Sequence, residues 1–223
     1  MLRKSTISLN LSNTGKLEQL RAYAVEYAQV VNSYIDILWE QEVFVGKYLV
    51  PGFYKQVESW LGSASKQQAS LQALAIVKSQ RKKPEEKRTK PIFKGNSLEL
   101  SSNIVTIYED INFFDLWIKF KGIGKHIILN IPAKKHKHFN KFETWIRKKS
   151  ARLRISTKGN FYLDIFFEKE QPEPKQDGNI IGLDCGFNKL LVTSDGQFLG
   201  TEFPQIVTKI QENFKAVMPL KEL

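Results

Sequence analysis

Asp184 is the residue of this sequence whose type and position point most clearly to chemistry. It follows the apolar stretch 180–183 and precedes Gly186, and an Asp195-Gly196 pair lies further along the chain. A carboxylate beside a packed apolar strand is costly unless it is paired, hydrogen-bonded or bound to a metal. Because an Asp-Gly pair is typical of a hairpin turn, we expect a buried strand that presents Asp184 and a strand that folds back beside it. An aspartate that caps a turn by accepting backbone N–H groups is the alternative.

Positive charge is concentrated in the middle of the chain. Residues 78–158 hold 21 of the 34 Lys and Arg and 7 of the 23 Asp and Glu, a balance of +14, while the remainder carries −3. Such a basic region is the electrostatic footprint expected for a phosphate backbone, although a solvated lysine-rich surface is also possible. The residues that we expect to contact nucleic acid are Arg81, Lys82, Lys83, Lys134, Lys135, Lys137, Lys141, Arg147, Lys148, Arg152 and Arg154.

Aromatic residues are interleaved with the basic cluster at 134–149, namely Phe139, Phe142 and Trp145. Rings in such a cluster can stack on unpaired bases while the ammonium groups contact phosphates. The alternative is that Phe142 and Trp145 belong to the core. Two histidines lie in the same stretch, but without Cys or Asp partners nearby they do not predict a metal site.

The composition excludes several classes of site. The single cysteine, Cys185, excludes a disulfide framework and any zinc site built from several Cys ligands, so we expect no zinc and a cytoplasmic setting. No apolar run approaches the ~20 residues that a membrane span needs, so no membrane partner is expected. Neither a nucleotide-binding glycine loop nor a nucleophile with an adjacent base is evident.

Helices are predicted before the basic region. Apolar residues recur every three or four positions from Leu17 to Leu38, after capping residues at 12–14, which predicts a long amphipathic helix. A short helix is expected around 54–61 and another from Lys66 to about Lys82. The charged, proline-punctuated stretch 81–91 is expected to be a mobile loop, which either orders on nucleic acid or stays disordered.

Strands are predicted on both sides of these helices. An opening strand lies near 5–11, and apolar residues alternate with polar ones over much of 97–168, with Arg152 and Arg154 on one polar face. Several short strands joined by turns suggest a small barrel or a sandwich. The stretch 139–149 is expected to add one or two helical turns, and 170–178 has the composition of a linker between domains.

The order of these segments and the residues at 182–196 resemble the amino-terminal half of the TnpB family, transposon-encoded RNA-guided DNA endonucleases related to the type V CRISPR effectors. In that family the RuvC-like module opens with a Gly-Ile-Asp-x-Gly pattern, then a strand and a Ser-Asp-Gly turn. Here the matching residues are Gly182-Leu183-Asp184-Cys185-Gly186 and Leu190-Leu191-Val192-Thr193-Ser194-Asp195-Gly196. The stretch 62–82 is similar to the family's recognition helices, although less specifically.

The resemblance implies an α+β fold, in which a β-barrel wedge domain with an inserted helical domain precedes the opening β-hairpin of an RNase H/RuvC-like fold. Residues 1–12 would form the first barrel strand, 13–91 the helical recognition domain and basic loop, 92–170 the rest of the barrel, 171–178 the linker, and 179–223 an incomplete RuvC-like domain. It also implies guide RNA and target DNA as partners, with Asp184 as a catalytic residue and a ligand of Mg²⁺.

The match stops early in the nuclease module. A RuvC-like site holds two metals with carboxylates from three separated segments, and the family carries a Cys-rich zinc ribbon between the later ones. Of the later acids, Asp195, Glu202, Glu212 and Glu222, none falls where the family's other catalytic acids are expected. We therefore expect a truncated TnpB-like protein that binds nucleic acid, binds Mg²⁺ weakly and does not cleave DNA by itself.

Two other functions fit parts of this pattern. A catalytically inactive nucleic-acid-binding repressor derived from the same family would keep the basic surface without needing the later acids. A sugar-kinase or actin-like ATPase also opens with an aspartate-glycine hairpin. Such proteins begin with that hairpin, however, whereas 183 residues precede Asp184 here.

Overall fold

The computed structural model describes residues 1–40, 49–111, 113–124, 127–173, 178, 180–186 and 190–217. The protein is a mixed α+β structure, which confirms the predicted class. The chain divides into two compact units, Met1–Gln171 and Pro172–Leu223, so the second begins within the stretch that has the composition of a linker.

The first unit places two helices between its opening strand and the remaining strands. In chain order its elements are β1 (Leu2–Ser8), α1 (Thr14–Glu40), α2 (Ser63–Arg81), β2 (Ser97–Leu100), β3 (Val105–Ile111), β4 (Phe114–Gly124), β5 (Ile127–Ala133), the short helix α3 (Lys137–Asn140), β6 (Ile146–Ile155) and β7 (Phe161–Glu168). The strands form two antiparallel sheets, in the spatial orders β1-β7-β6-β2 and β3-β4-β5.

Strand alternation gives the four-stranded sheet an apolar and a polar face. Leu163 of β7 lies opposite Ile7 on one side and Leu153 on the other, and all three are buried. Asp164 follows Leu163 and lies opposite Arg152, so this pair is on the other face. Residues with period two along a strand therefore separate as the sequence predicts.

The predicted barrel is wrong, because the described strands form open sheets. Between β3 and β6, the Arg147 Nη2 donates to the carbonyl oxygen of Ile107 at 3.1 Å. After β5, the Nε2 of His136 lies 2.8 Å from the carbonyl oxygen of Thr6 in β1. These side-chain contacts connect the two sheets, whose described strands are not paired with each other.

The helices and both sheets of the first unit share one apolar core. Helix α1 confirms the predicted long helix, and Asn13 Oδ1 caps its first turn by accepting from the Lys16 N–H at 3.0 Å. Tyr23, which falls off the apolar stripe in the sequence, is fully buried, and its hydroxyl lies 3.3 Å from that of Ser65 in α2. Tertiary packing therefore covers more of α1 than its periodicity indicates.

The start of α2 packs directly against the end of β4. A Cβ at Gly62 would lie 2.4 Å from the carbonyl oxygen of Gly122, a distance that no side chain tolerates. Gly122 itself has φ +66°, a conformation that favours glycine. The Ser65 hydroxyl donates to the same Gly122 oxygen at 2.8 Å, which fixes the helix on the strand.

Some local elements differ from their predictions. The helix expected around 54–61 is a single 3₁₀ turn, Phe53–Gln56, and the helical turns expected within 139–149 give way to β6 from Ile146 onward. In the predicted loop 81–91, Lys90 forms an ion pair with Asp36 at 2.8 Å, so this segment is anchored to α1.

The second unit is small, and its strands are mostly exposed to solvent. Its elements are β8 (Leu183–Cys185), β9 (Leu191–Thr193), β10 (Phe198–Leu199) and α4 (Phe203–Val217), with the strands in the antiparallel order β10-β9-β8. The Asp195-Gly196 turn joins β9 to β10, and the Gly196 N–H donates to the Thr193 carbonyl at 3.0 Å. The predicted Asp-Gly hairpin turn is therefore confirmed. It follows β9, whereas Asp184 lies in the preceding strand, β8.

Candidate functional site

Arg152 and Arg154 lie side by side on the polar face of the β1-β7-β6-β2 sheet, and both are ion-paired there. Arg154 donates to Asp164 from Nε at 2.8 Å and from Nη2 at 2.9 Å, and Lys4 Nζ donates to the same carboxylate at 3.0 Å. Arg152 Nε donates to Glu99 at 2.6 Å. Alternation along β6 therefore predicted the shared face, but not the carboxylates on the neighbouring strands.

Asp164 explains why Arg154 is held on this face of the sheet. Burial would raise the pKa of this fully buried carboxyl, but hydrogen bonds from Arg154, Thr6 and Lys4 outweigh it and hold the pKa below 3.8. A buried charge needs such partners, so the role of Arg154 is to stabilise the fold rather than to bind a ligand.

Three further predicted residues are also paired with carboxylates. Lys135 Nζ lies 2.9 Å from Glu109 in β3, and Arg147 contacts the other oxygen of the same carboxylate. Lys148 pairs with Glu168, and the hydrogen bond from Lys148 lowers the pKa of that carboxyl. Two of these three cations share the single carboxylate of Glu109, so the three are only partly compensated.

Arg81 closes the end of α1 although it belongs to α2. Its Nη2 donates to the carbonyl oxygens of Leu38 at 3.3 Å and Trp39 at 2.8 Å, two of the carbonyls that a helix end leaves without partners. Its guanidinium also lies 5.5 Å from the Trp39 ring centroid. We therefore assign Arg81 a structural role.

The other five predicted residues are exposed lysines that form no ion pair with another described residue: Lys82, Lys83, Lys134, Lys137 and Lys141. The first two follow α2. The last three, which we call the α3 lysine cluster, lie on and beside α3, with Lys137 and Lys141 four positions apart. Ammonium groups without carboxylate partners remain available to an anionic ligand.

Two interactions hold the backbone that carries the α3 lysine cluster. Nδ1 of His136 accepts from the N–H groups of His138 at 3.2 Å and Phe139 at 3.4 Å, while its Nε2 faces the Thr6 oxygen. This arrangement assigns a neutral imidazole with its proton on Nε2. The His138 ring adds a contact at 3.3 Å between Nδ1 and the Ser5 hydroxyl.

The aromatic residues of this segment pack in or against the core and do not form a surface for bases. Phe139 and Phe142 are buried, and both rings contact Phe167 of β7, with centroids 5.3 and 5.1 Å away. Trp145 is half-buried against Phe142, edge to face at 5.2 Å. The expectation that these rings stack on bases is therefore wrong for Phe139 and Phe142, because β7 supplies a packing partner that the local sequence does not reveal.

Arg3 is a cation that sequence reasoning missed. It lies opposite Phe167 in the β1–β7 ladder and is exposed. Because Phe167 packs on Phe139 and Phe142, Arg3 stands at the same end of the sheet as the α3 lysine cluster. Residues more than 130 positions apart come together here, and alternation in β1 was the only signal available.

Asp184 lies in the middle of β8, opposite Val192 of β9. The hairpin exists, but the expected burial is wrong, since β8 is exposed along its length and Leu183 retains 62% of its accessible surface. Within the described residues no donor reaches the Asp184 carboxylate, so it does not cap a turn there. Burial requires a covering layer, and the described part of the second unit supplies none over this strand.

A divalent metal needs more than this one carboxylate. Mg²⁺ takes near-octahedral oxygen coordination, usually with several carboxylate or phosphate ligands in an enzyme site. Among the described residues, no group of three or more His, Cys, Asp or Glu could hold a metal ion. The nearby acid Asp195 is occupied in its turn, where it accepts from the Thr193 hydroxyl. A Mg²⁺ site at Asp184 would need ligands beyond those that the described residues bring together.

No known protein family matches this sequence, and no curated protein matches it either. Of the helices described here, none is both long enough and apolar enough to cross a membrane.

Proposed function

We propose that this chain is a TnpB-like transposon protein whose first unit binds guide RNA and target DNA. The sheets and helices of that unit would correspond to the wedge and recognition domains, and the β8–β9 hairpin to the opening of a RuvC-like fold. The parent activity is RNA-guided, metal-dependent DNA cleavage, to which Asp184 would contribute one metal ligand.

The partition of charge between the units supports the binding part of this proposal. Residues 1–171 hold 29 Lys and Arg against 16 Asp and Glu, a net charge of +13, whereas residues 172–223 hold 5 and 7, a net charge of −2. A polyanion would therefore be attracted to the first unit, and the released counterions would favour binding.

The exposed lysines of the α3 lysine cluster carry the proposal. Lys135 and Arg147 share the carboxylate of Glu109, and Lys148 pairs with Glu168, whereas Lys134, Lys137 and Lys141 project from a backbone that His136 and two buried rings hold in place. Rigid support lowers the entropy cost of placing several ammonium groups along a phosphate chain.

The Asp184 hairpin supports the nuclease part. Its carboxylate is exposed and free of donors among the described residues, as a ligand awaiting further carboxylates would be. The described residues do not complete a metal site, so we derive no catalytic step from them.

The test is salt-dependent binding of the purified chain to RNA and DNA. Affinity should fall linearly with salt on a log–log plot, by ~0.7 per phosphate contact on a single strand and ~0.9 on duplex DNA. A triple substitution, Lys134→Gln, Lys137→Gln and Lys141→Gln, should reduce the single-strand slope by about 2. Absence of salt-dependent binding by the unmodified chain would contradict the proposal.

A matched control removes the same charge elsewhere. Lys55, Lys94 and Lys158 are exposed lysines of the first unit without an ion pair to a described residue. Their triple replacement by Gln should weaken binding less than replacement of the α3 lysine cluster. Equal losses would mean that net charge alone drives association and that the cluster is not a site.

A second candidate is a nucleic-acid-binding repressor without cleavage activity, which the solitary Asp184 favours. Incubation of the chain with guide RNA, matching target DNA and Mg²⁺ separates the two. Cleavage that Asp184→Ala abolishes would establish the nuclease, whereas tight binding without cleavage would favour the repressor.

A further inference from the structure

We propose that the cleft between β3 and the first half of β6 is a phosphate-binding site. In it, Arg147, Lys148 and Lys149 supply positive charge, and the open edge of β3 supplies backbone N–H donors. The ligand is a phosphate group, which belongs either to a nucleic-acid backbone or to a small phosphorylated molecule. This site includes neither the α3 lysine cluster nor Asp184, and it does not require the nucleic-acid binding proposed above.

The cleft lies where the two sheets of the first unit meet without pairing. Its volume is about 450 Å³, which corresponds to roughly fifteen water molecules at ~30 Å³ each and leaves room for a phosphate group. Ser102 and residues of β3 line one wall. The other wall consists of three consecutive cations of β6, namely Arg147, Lys148 and Lys149.

A bulge in β6 explains why three consecutive side chains line one cleft. Arg147 pairs with Phe167 and Ala151 pairs with Ile165, so three residues of β6 lie between these pairs where β7 has one. In a regular strand successive side chains alternate between the two faces, and three in a row would not share a cleft. A bulge bends its strand and re-aims the side chains that it carries.

The open edge of β3 adds neutral donors to the cleft. The Lys121 N–H donates to the Ile104 carbonyl at 2.7 Å. Because hydrogen-bonded pairs recur every two residues along an antiparallel ladder, the backbone N–H and C=O groups of Ile107 and Glu109 point away from β4. The Ile107 carbonyl accepts from Arg147 at 3.1 Å, so this edge faces the cations. No described strand pairs with the edge, which leaves its N–H groups to a ligand.

The charges at the cleft do not balance. Glu109 is shared by two cations, of which Arg147 is one, and Lys148 pairs with Glu168. Lys149 is exposed and forms no ion pair with another described residue. Four cations against two carboxylates leave a net charge of +2. A phosphate group would receive charge-assisted hydrogen bonds from this set, whereas a cationic ligand would be repelled.

Glu109 gives the proposal a prediction with a definite sign. Its carboxylate occupies the guanidinium of Arg147, which a phosphate would otherwise use, and it repels an anion. Glu109→Gln removes the negative charge and keeps the shape of the side chain. Phosphate binding should therefore become stronger in this variant, although an ion pair of the folded chain is lost.

The experiment follows the backbone amide resonances of the isotope-labelled full chain while inorganic pyrophosphate is added, with sodium chloride at matched ionic strength as the control. Saturable shifts are expected at Ile107, Glu109 and Lys149. The affinity should fall about fivefold for Lys149→Gln and rise about threefold for Glu109→Gln. Lys158→Gln, which removes an exposed lysine of the β6–β7 turn, should leave it unchanged.

A second titration identifies the source of the phosphate group. A single-stranded RNA without terminal phosphates is added to the chain saturated with pyrophosphate. Displacement of pyrophosphate, with RNA-induced shifts at the same three amides, assigns the cleft to a nucleic-acid backbone. Retention of pyrophosphate while RNA binds elsewhere assigns the cleft to a small phosphorylated ligand.

Two results would overturn the cleft as a phosphate site. One is the absence of saturable shifts at these amides with either ligand, and the other is an unchanged pyrophosphate affinity in both Lys149→Gln and Glu109→Gln. RNA binding that shifts only the α3 lysine cluster, without any response of the cleft to pyrophosphate, would remove this site and leave the proposed function intact. Pyrophosphate binding by a chain that binds no nucleic acid would do the reverse.

Discussion

The two units of this chain differ in how far their apolar side chains are buried. In the first unit, Leu163 and Phe120 retain none of their accessible surface, because two sheets and two helices cover one another. In the second unit, Ile180 retains 98% and Phe198 52%. An apolar run therefore becomes a core strand only where a second layer exists to cover it.

The same contrast applies to carboxylates. Asp164 lies fully buried among three donors, whereas Asp184 lies exposed and without a donor among the described residues. The first carboxylate is part of the fold, and the second is free for a ligand. The sequence context of Asp184 suggests burial more strongly than that of Asp164, so local apolarity alone does not separate structural from functional acids.

The largest expected difference between the units is the cost of truncating a leucine. Leu163→Ala should lower the free energy of unfolding of the first unit by about 3 kcal/mol, because it removes buried contacts and leaves a cavity. Leu183→Ala should change the stability of the second unit by less than ~0.5 kcal/mol. Hydrogen exchange measured residue by residue reports each unit separately. Similar costs at both positions would mean that β8 is covered after all.

A second comparison uses glycine. Gly62→Ala should destabilise the first unit by about 2 kcal/mol, since its Cβ would collide with the Gly122 oxygen and force α2 away from β4. Gly182→Ala in the second unit meets only the Ser194 side chain at an ordinary 3.5 Å and should be nearly neutral. All four tryptophans lie in the first unit, so urea unfolding followed by tryptophan fluorescence measures the first effect. An unchanged midpoint for Gly62→Ala would contradict the close contact.

A third comparison concerns the two aspartates. The pKa of Asp164 is lower in the folded chain than its ordinary 3.8, so its stabilisation is present above pH ~4 and is lost as pH falls through the folded pKa. Asp164→Asn should therefore cost about 1.5 kcal/mol at neutral pH, and this deficit should shrink below pH ~4. Urea titrations at several pH values provide the measurement. A deficit that is independent of pH would show that the charge of Asp164 is not what stabilises the sheet.

Elements with long local patterns were predictable from the sequence. Helix α1 follows from its three- and four-residue spacing, and β4 and β7 follow from their alternation. The α+β fold class follows for the same reason, and so does the shared face of Arg152 and Arg154. These features depend on residues that are neighbours in the chain.

The remaining features depend on residues that are distant in the chain. Arg147 meets Glu109 from 38 positions away, and Arg152 meets Glu99 from 53 away, so the compensation of predicted phosphate contacts was not visible. Phe139 is buried because β7 lies beneath it. The α3 lysine cluster, Lys82 and Lys83 are the exposed predicted contacts that form no ion pair with another described residue.

The most direct test of nucleic-acid binding by the first unit is hydrogen exchange of the full chain with and without a saturating single-stranded RNA. Our account predicts slower exchange at the α3 lysine cluster, with residues 180–217 unaffected. Protection confined to residues 180–217, or no protection anywhere at saturation, would contradict it.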